Sequence, residues 1–314
     1  MNCASLLIHP SELSERWISR TAESGVPVLG IHPEGGKHAD AYIEKMLSLL
    51  EDAKYRKLMD KACEKGLKLE YEMHAMRYLL PAREFDAHPE WFRMNAEGKR
   101  TTDYNLCPSC KEALDLVAEN AAMLAKRLYR STDTFHFWLD DAKDAHCHCE
   151  KCAMLSPSDQ QLTVLNHIIR RLKKDTPSAS LSYLAYHDTI AAPTAVSPED
   201  GIFIEFAPIH RDLHKPFCHS DESKHLDGLF DCFGKKGSQV LEYWYDNSLM
   251  SRWKKPPVEF RVDKDVLFAD FEFYVGFGFD RISSFACYLG EDYAALYGEP
   301  DVSDFGKAYK KYTY

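Results

Sequence analysis

The chain has 314 residues with 45% apolar side chains, enough to bury one large core, which excludes a disordered or fibrous protein. Its net charge of −10 is spread without a basic block, so nucleic acid and anionic membrane are not expected as partners, and a small neutral molecule is. The apolar runs fall far short of the ~18 residues of a spanning helix, and Met1 to Pro10 lacks a basic n-region, so neither an anchor nor a signal peptide is expected.

Residues 6–8 read as a first strand, closed by His9-Pro10, with Ser11 the expected cap of a helix carrying Trp17 and Ile18. A second strand over 26–31 is again closed by His-Pro, at His32-Pro33, and followed by Glu34-Gly35-Gly36. Tyr42, Met46, Leu49 and Leu50 form one stripe of a helix over 40–64, stopped by Lys65-Gly66. A third strand over 67–73 ends at His74, and a long loop with Trp91, Arg93 and Asp103 follows; loops of this length are usually functional. Ser109 and Glu112 have capping-box spacing for a helix to about 129.

The fourth strand, 134–139, delivers Asp140 and Asp141 at its C-terminal end. A helix over 159–174 leads to the fifth strand, 181–186, and the connection from there to the sixth, 202–206, is too short and proline-rich for a full helix. Helices over 223–233 and 264–275 precede strands at 239–243 and 281–285. Eight strands separated mostly by helices predict a (β/α)8 TIM barrel spanning 1–314 as a single catalytic domain, with the strand ends converging on one mouth. A doubly wound sheet would want a glycine-rich phosphate turn after the first strand, and Ile8-His9-Pro10-Ser11 is not one.

Two adjacent carboxylates repel, which keeps one protonated near neutrality, as acid/base catalysis at an acetal requires; the bland alternative has Asp140 capping a turn and Asp141 alone acting. Glu242 and Glu205 are carboxylates inside apolar strands, costly to bury without a role or a partner, and Arg252 or Lys254 are candidate partners for Glu242. Trp138, Tyr186, Tyr243, Trp244, Tyr245 and Trp253 crowd the strand ends, where one or two are expected to offer a face to a sugar and the rest to fill the core, with His74 and His187 as polar contacts. The strand-end histidines His9, His32, His74, His187 and His210 also raise the alternative of a metal-dependent hydrolase. That reading lacks a His-x-His at the end of the first strand, so these rings are expected to donate to substrate hydroxyls or to anchor loops. A non-catalytic saccharide-binding barrel is the other alternative.

Cys147, Cys149 and Cys152 have the spacing of a metal loop and suit a structural zinc. Cys110, Cys107, His146 or His148 are candidates for the fourth ligand, with Cys110 the first choice. No organic cofactor is expected. Ten cysteines, five of them bunched, do not form a secreted disulfide framework, so reduced thiols and a cytoplasmic setting are expected.

Leu106-Cys-Pro-Ser109, Phe137-Trp-Leu-Asp-Asp141, the cysteine run, Ser156-Pro-Ser-Asp-Gln160 and Leu184-Ala-Tyr-His187 together resemble the domain-of-unknown-function 4838 family, from about Leu67 to Gly298. That family is grouped with barrel glycoside hydrolases, and some members are similar to β-N-acetylglucosaminidases. The resemblance implies a retaining enzyme of carbohydrate metabolism acting on a small β-linked saccharide, such as an N-acetylhexosaminide. In barrel hexosaminidases the substrate's acetamido group is the nucleophile; on that likeness Asp140 orients it and Asp141 is the acid/base. The competing pairing sets Asp141 against Glu242 as nucleophile, with carboxyls ~5–5.5 Å apart.

Overall fold

The computed structural model describes residues 3–313. Its strands are β1 (Cys3–Ile8), β2 (Val28–Ile31), β3 (Lys68–His74), β4 (Thr134–Trp138), β5 (Ser180–Ala185), β6 (Ile202–Phe206), β7 (Gln239–Glu242) and β8 (Arg281–Phe285). All pair in parallel in sequence order, and β8 pairs with β1 to close the barrel. The helices are α1 (Glu15–Ser24), α2 (Ala39–Glu51), α3 (Ala53–Glu64), α4 (Met76–Leu79), α5 (Lys111–Arg127), α6 (Pro157–Asp175), α7 (Leu226–Phe233), α8 (Asn247–Met250), α9 (Lys264–Phe277), α10 (Glu291–Tyr297) and α11 (Ser303–Tyr312). This is the (β/α)8 barrel that the alternation of elements predicts. Between β5 and β6 lies a single short helical turn, His187–Thr189, in place of a full helix.

Several boundaries differ for local reasons. The helix expected over 40–64 is two helices, because Asp52 adopts an extended conformation and its Oδ1 accepts from Lys54 N at 2.8 Å and Tyr55 N at 2.9 Å. Aspartate is a better cap than a mid-helix residue, so the chain restarts there. Ser14, not Ser11, caps α1 by accepting from Trp17 N at 3.3 Å. The Ser109 hydroxyl faces Cys152 Sγ at 3.0 Å instead of closing a capping box, and α5 begins at Lys111. The two last helices, α10 and α11, are not foreseen.

Side chains alternate across each strand, so every second residue enters the barrel. The lower interior is polar: Arg281 binds Glu70, His136 Nδ1 lies 2.8 Å from Glu205 Oε2, and Gln239 Nε2 donates to Glu205 Oε1 at 2.8 Å and Ser283 Oγ at 3.0 Å. Burial opposes a charged His136, but Glu205 and Glu72 outweigh it and push the imidazole up to about 10. Burial opposes a charged Glu70 too, and Arg281 with His136 reverses that and holds it down at about 2. Glu72 is raised well above the carboxylate range by burial and by Glu205, with His136 opposing the rise. Above this layer Leu7, Trp138, Leu184, Leu241 and Phe285 pack into an apolar floor.

Candidate active site

Above the floor, at the C-terminal ends of the strands, opens a cavity of about 440 Å3. The strand ends supply its walls: His9 after β1, His32 after β2, His74 on β3, Trp138 on β4, Tyr186 after β5, and Tyr243 and Asp246 after β7. Asp141 enters the cavity from the turn after β4, and its Oδ1 accepts from the Tyr186 hydroxyl at 3.0 Å. Gly35 lies beside it: a Cβ there would stand 3.0 Å from His74 Cδ2 and 3.5 Å from Asp141 Oδ2, so only glycine leaves this side of the cavity open.

The three histidines share one arrangement. Each Nδ1 rests on a backbone carbonyl, His9 on His32 O at 2.8 Å, His32 on Glu72 O at 2.8 Å, and His74 on Leu139 O at 2.5 Å. A carbonyl only accepts, so each Nδ1 carries the hydrogen, and in a neutral ring Nε2 then carries the lone pair. Burial, with His9 and His74 adding to it, holds His32 well below the usual histidine range, and it is neutral. Each ring is thus tied to the backbone of a neighbouring segment, in keeping with the loop-anchoring half of the expectation. The rings stand apart, with centroids 5.8 Å between His9 and His32 and 6.4 Å between His32 and His74.

Asp140 does not join Asp141 in the cavity. It is 6% exposed, and its carboxylate accepts from Asn105 N at 2.6 Å and Arg77 N at 3.3 Å. Burial pushes it up to about 6. The strand ends at Trp138 and Ala142 N donates to Asp140 O at 2.9 Å, a tight turn that separates the two carboxylates.

The residues expected on β7 are displaced by alternation. Leu241 and Tyr243 face the cavity, so Glu242 and Trp244 face outward, toward the helices. Glu242 is fully buried against Arg211 Nη1 at 2.6 Å and the Tyr274 hydroxyl, so its partner is Arg211 and not Arg252 or Lys254. Burial raises its pKa and Arg211 opposes the rise. Trp244 donates its indole N–H to Asp270 Oδ2 at 2.9 Å, and Tyr245 packs on Phe260 and Phe305. Glu205 lies beneath the floor, accepting from the Trp138 indole at 2.8 Å. His187 sits outside the cavity, with Nδ1 3.0 Å from His210 Nε2.

Asp246 takes the place that Glu242 was expected to fill. It lines the cavity, its Oδ1 accepts from Ser248 N at 3.0 Å and Leu249 N at 3.3 Å, and burial raises its pKa. The rule that selects Asp141, a carboxylate just past an apolar run, selects it too. Glu34, Tyr42, Tyr288 and Trp253 complete the rim; Trp253 is 67% exposed and holds a φ of 53°.

Beside the cavity wall, Cys107, Cys147, Cys149 and Cys152 gather with their sulfurs within 4.8 Å of one another. Cys110, the expected fourth member, is not among them: at the start of α5 its thiol turns along the helix toward Glu112 Oε2, 3.4 Å away.

The fold and site together define a (β/α)8 barrel with a carboxylate-bearing, histidine-lined cavity at its C-terminal mouth. Over residues 46–257 the sequence matches the domain-of-unknown-function 4838 family, and the chain belongs to that family. No curated protein matches it in sequence. Among solved structures, the β-galactosidase of Rahnella sp. R3 superposes with a TM-score of 0.60 at 13% identity, over 99% of this chain and 55% of that one. The Thermobaculum terrenum O-GlcNAc hydrolase gives 0.56 at 10% identity, over 99% of this chain and 60% of that one. A pneumococcal exo-β-D-N-acetylglucosaminidase module gives 0.53 at 14% identity, over 99% and 84%. At these identities the likeness is one of fold. This chain spans little more than half of the β-galactosidase's length. Among the described residues, no helix is long and apolar enough to cross a membrane.

Proposed function

We propose that this protein is a retaining glycoside hydrolase that acts on a small β-linked saccharide, with Asp141 as its acid/base carboxylate. The observation that carries this reading is Asp141 itself, held by the Tyr186 hydroxyl at 3.0 Å inside the cavity at the barrel's C-terminal mouth. The cavity's volume of about 440 Å3 suits a small ligand. Nε2 acceptors of His9, His32 and His74 match the hydroxyl donors of a sugar, and Trp138, Tyr243 and Trp253 offer apolar faces. The barrel neighbours named for β-galactoside and β-N-acetylglucosaminide chemistry fit the same reading.

Cleaving an acetal requires a proton on the leaving oxygen and electron density at the anomeric carbon. In this proposal Asp141 delivers the proton and later activates water, and Asp246, a buried carboxylate that also lines the cavity, attacks carbon. Pairing through Asp140 is less well supported, because its carboxylate is engaged by Asn105 and Arg77 in the wall. A cytoplasmic setting, where thiols stay reduced, is part of the proposal.

A panel of nitrophenyl β-glycosides, including the N-acetylglucosaminide, tests it. Asp141→Asn should lower turnover ~10²–10⁴-fold, with azide restoring activity and giving a β-glycosyl azide. Asp246→Gly with azide should give the α-glycosyl azide; activity confined to N-acetylhexosaminides, without azide products from Asp246→Gly, would assign the nucleophile to the substrate's acetamido group. Saccharide binding without turnover on any substrate would leave a binding barrel and overturn the proposal.

A further inference from the structure

We infer that Cys107, Cys147, Cys149 and Cys152 form a tetrathiolate site for a structural Zn²⁺ that staples the turn bearing Asp141 to the long loop after β3. Sulfurs at ~2.3 Å around a tetrahedral ion stand about 3.7–3.8 Å apart. Cys107 Sγ lies 3.7 Å from both Cys149 Sγ and Cys152 Sγ, and all four sulfurs fall within 4.8 Å of one another. That is far beyond a disulfide bond of ~2.05 Å. It is also too tight to enclose a multi-iron cluster, whose cysteine sulfurs stand further apart.

The surroundings treat these sulfurs as acceptors. Met94 N donates to Cys147 Sγ at 3.3 Å, the Arg100 guanidinium reaches the same sulfur at 3.7 Å, and the Ser109 hydroxyl lies 3.0 Å from Cys152 Sγ. Donors aimed at sulfur are what a thiolate-bound metal needs around it. Four buried protein ligands leave no open position, so the ion is structural and supplies cohesion only. Gln160 on α6 fixes the loop from behind, its amide donating to Cys147 O at 3.0 Å and Cys152 O at 3.1 Å while its Oε1 accepts from Cys147 N at 2.9 Å.

The placement gives the site its consequence. Cys107 follows Asn105, which holds Asp140, and Cys147 lies six residues past Asp141, so the ion joins both sides of that turn. The effect on turnover rests on the proposed function, whereas metal binding does not.

Elemental analysis of the full chain, purified without added metal or chelator, should find about one zinc per chain. A mercurial should release it, and protein refolded with Co²⁺ should show intense tetrahedral thiolate–cobalt bands. Cys110→Ser should keep the metal and Cys107→Ser should lose it; because Cys107→Ser is liable to misfold, the wild-type titration and cobalt spectrum decide. Metal-free protein that takes up neither ion, a disulfide within the set, a red mononuclear iron protein, or loss of zinc in Cys110→Ser would each overturn the inference. Zinc present in a protein inactive on every glycoside would leave this site standing and remove the proposed function.

Discussion

Asn105 and Asp140 bind each other twice: Asn105 N donates to Asp140 Oδ2 at 2.6 Å, and Asp140 N donates to Asn105 Oδ1 at 2.8 Å. Through this pair the loop after β3 holds the turn after β4, and the Asp141 carboxylate inherits its position. Asn105 also has a φ of 44°, a conformation that asparagine tolerates and most residues do not.

Asn105→Ala should therefore lose the side-chain bonds to Asp140 N and Ala145 O as well as the tolerated backbone, while the Asn105 N–H bond to Asp140 is open to any residue there. Asn105→Gly keeps the backbone and loses only the bonds, so alanine should be the less stable by about 1 kcal/mol in urea unfolding. Both variants should lower kcat about tenfold or more through misplacement of Asp141. Equal stability of the two would show that the positive φ costs nothing here.

Trp253 stands at the cavity rim with its ring largely in solvent, and Arg252 before it also has a positive φ. Strained backbone beneath an exposed aromatic suits a platform for the leaving sugar. Trp253→Ala should raise KM about 3- to 10-fold on a disaccharide and leave the nitrophenyl monosaccharide kcat nearly unchanged, read by steady-state kinetics. An equal effect on both substrates would place the ring elsewhere in the binding path.

The buried His136 gives a pH signature. Its pKa in the folded protein, about 10, lies above the ordinary value of 6.5, because Glu205 and Glu72 overcome the burial penalty. The folded state thus holds a proton that the unfolded chain releases, so this contribution is complete below pH 6.5 and is lost as pH rises toward 10. Glu72, also raised, acts in the same sense. Between pH 7 and 9 the group should contribute a slope of about 1.4 kcal/mol per pH unit at most. Urea unfolding at several pH values should show this slope flattened in His136→Gln, and an unchanged slope would mean that the ring is neutral in the fold.

Much of the barrel was legible because each strand is an apolar run with a polar cluster at its end, and that pattern survives without knowing any contact. Sites on strands whose ends were read correctly, His74, Trp138 and Asp141, follow from the same signal. On β7 alternation decides between neighbours: Leu241 and Tyr243 are the inward members, so Glu242 and Trp244 point away, whereas Tyr245 has the inward phase but lies past the strand's end at Glu242 and packs on Phe260 and Phe305. The separation of Asp140 from Asp141 stands in the sequence only as an alternative, since the turn that parts them depends on Asn105, thirty-five residues away in sequence. Cys107 and Cys110 are equally close to a plausible ligand spacing, and only the start of α5 decides between them.

The ionisable groups inside the barrel come from strands spread along the chain: Glu70 and Glu72 from β3, His136 from β4, Glu205 from β6 and Arg281 from β8. Arg281 meets Glu70 across 211 residues. A partial barrel would bury a carboxylate or an imidazole without its counter-ion, and an unpaired buried charge costs several kcal/mol. Half-assembled intermediates are thereby penalised, and the reward for desolvating these groups arrives only when β8 closes against β1. The polar interior thus favours concerted closure of the barrel, because the Arg281–Glu70 and His136–Glu205 pairs each join residues from opposite halves of the chain.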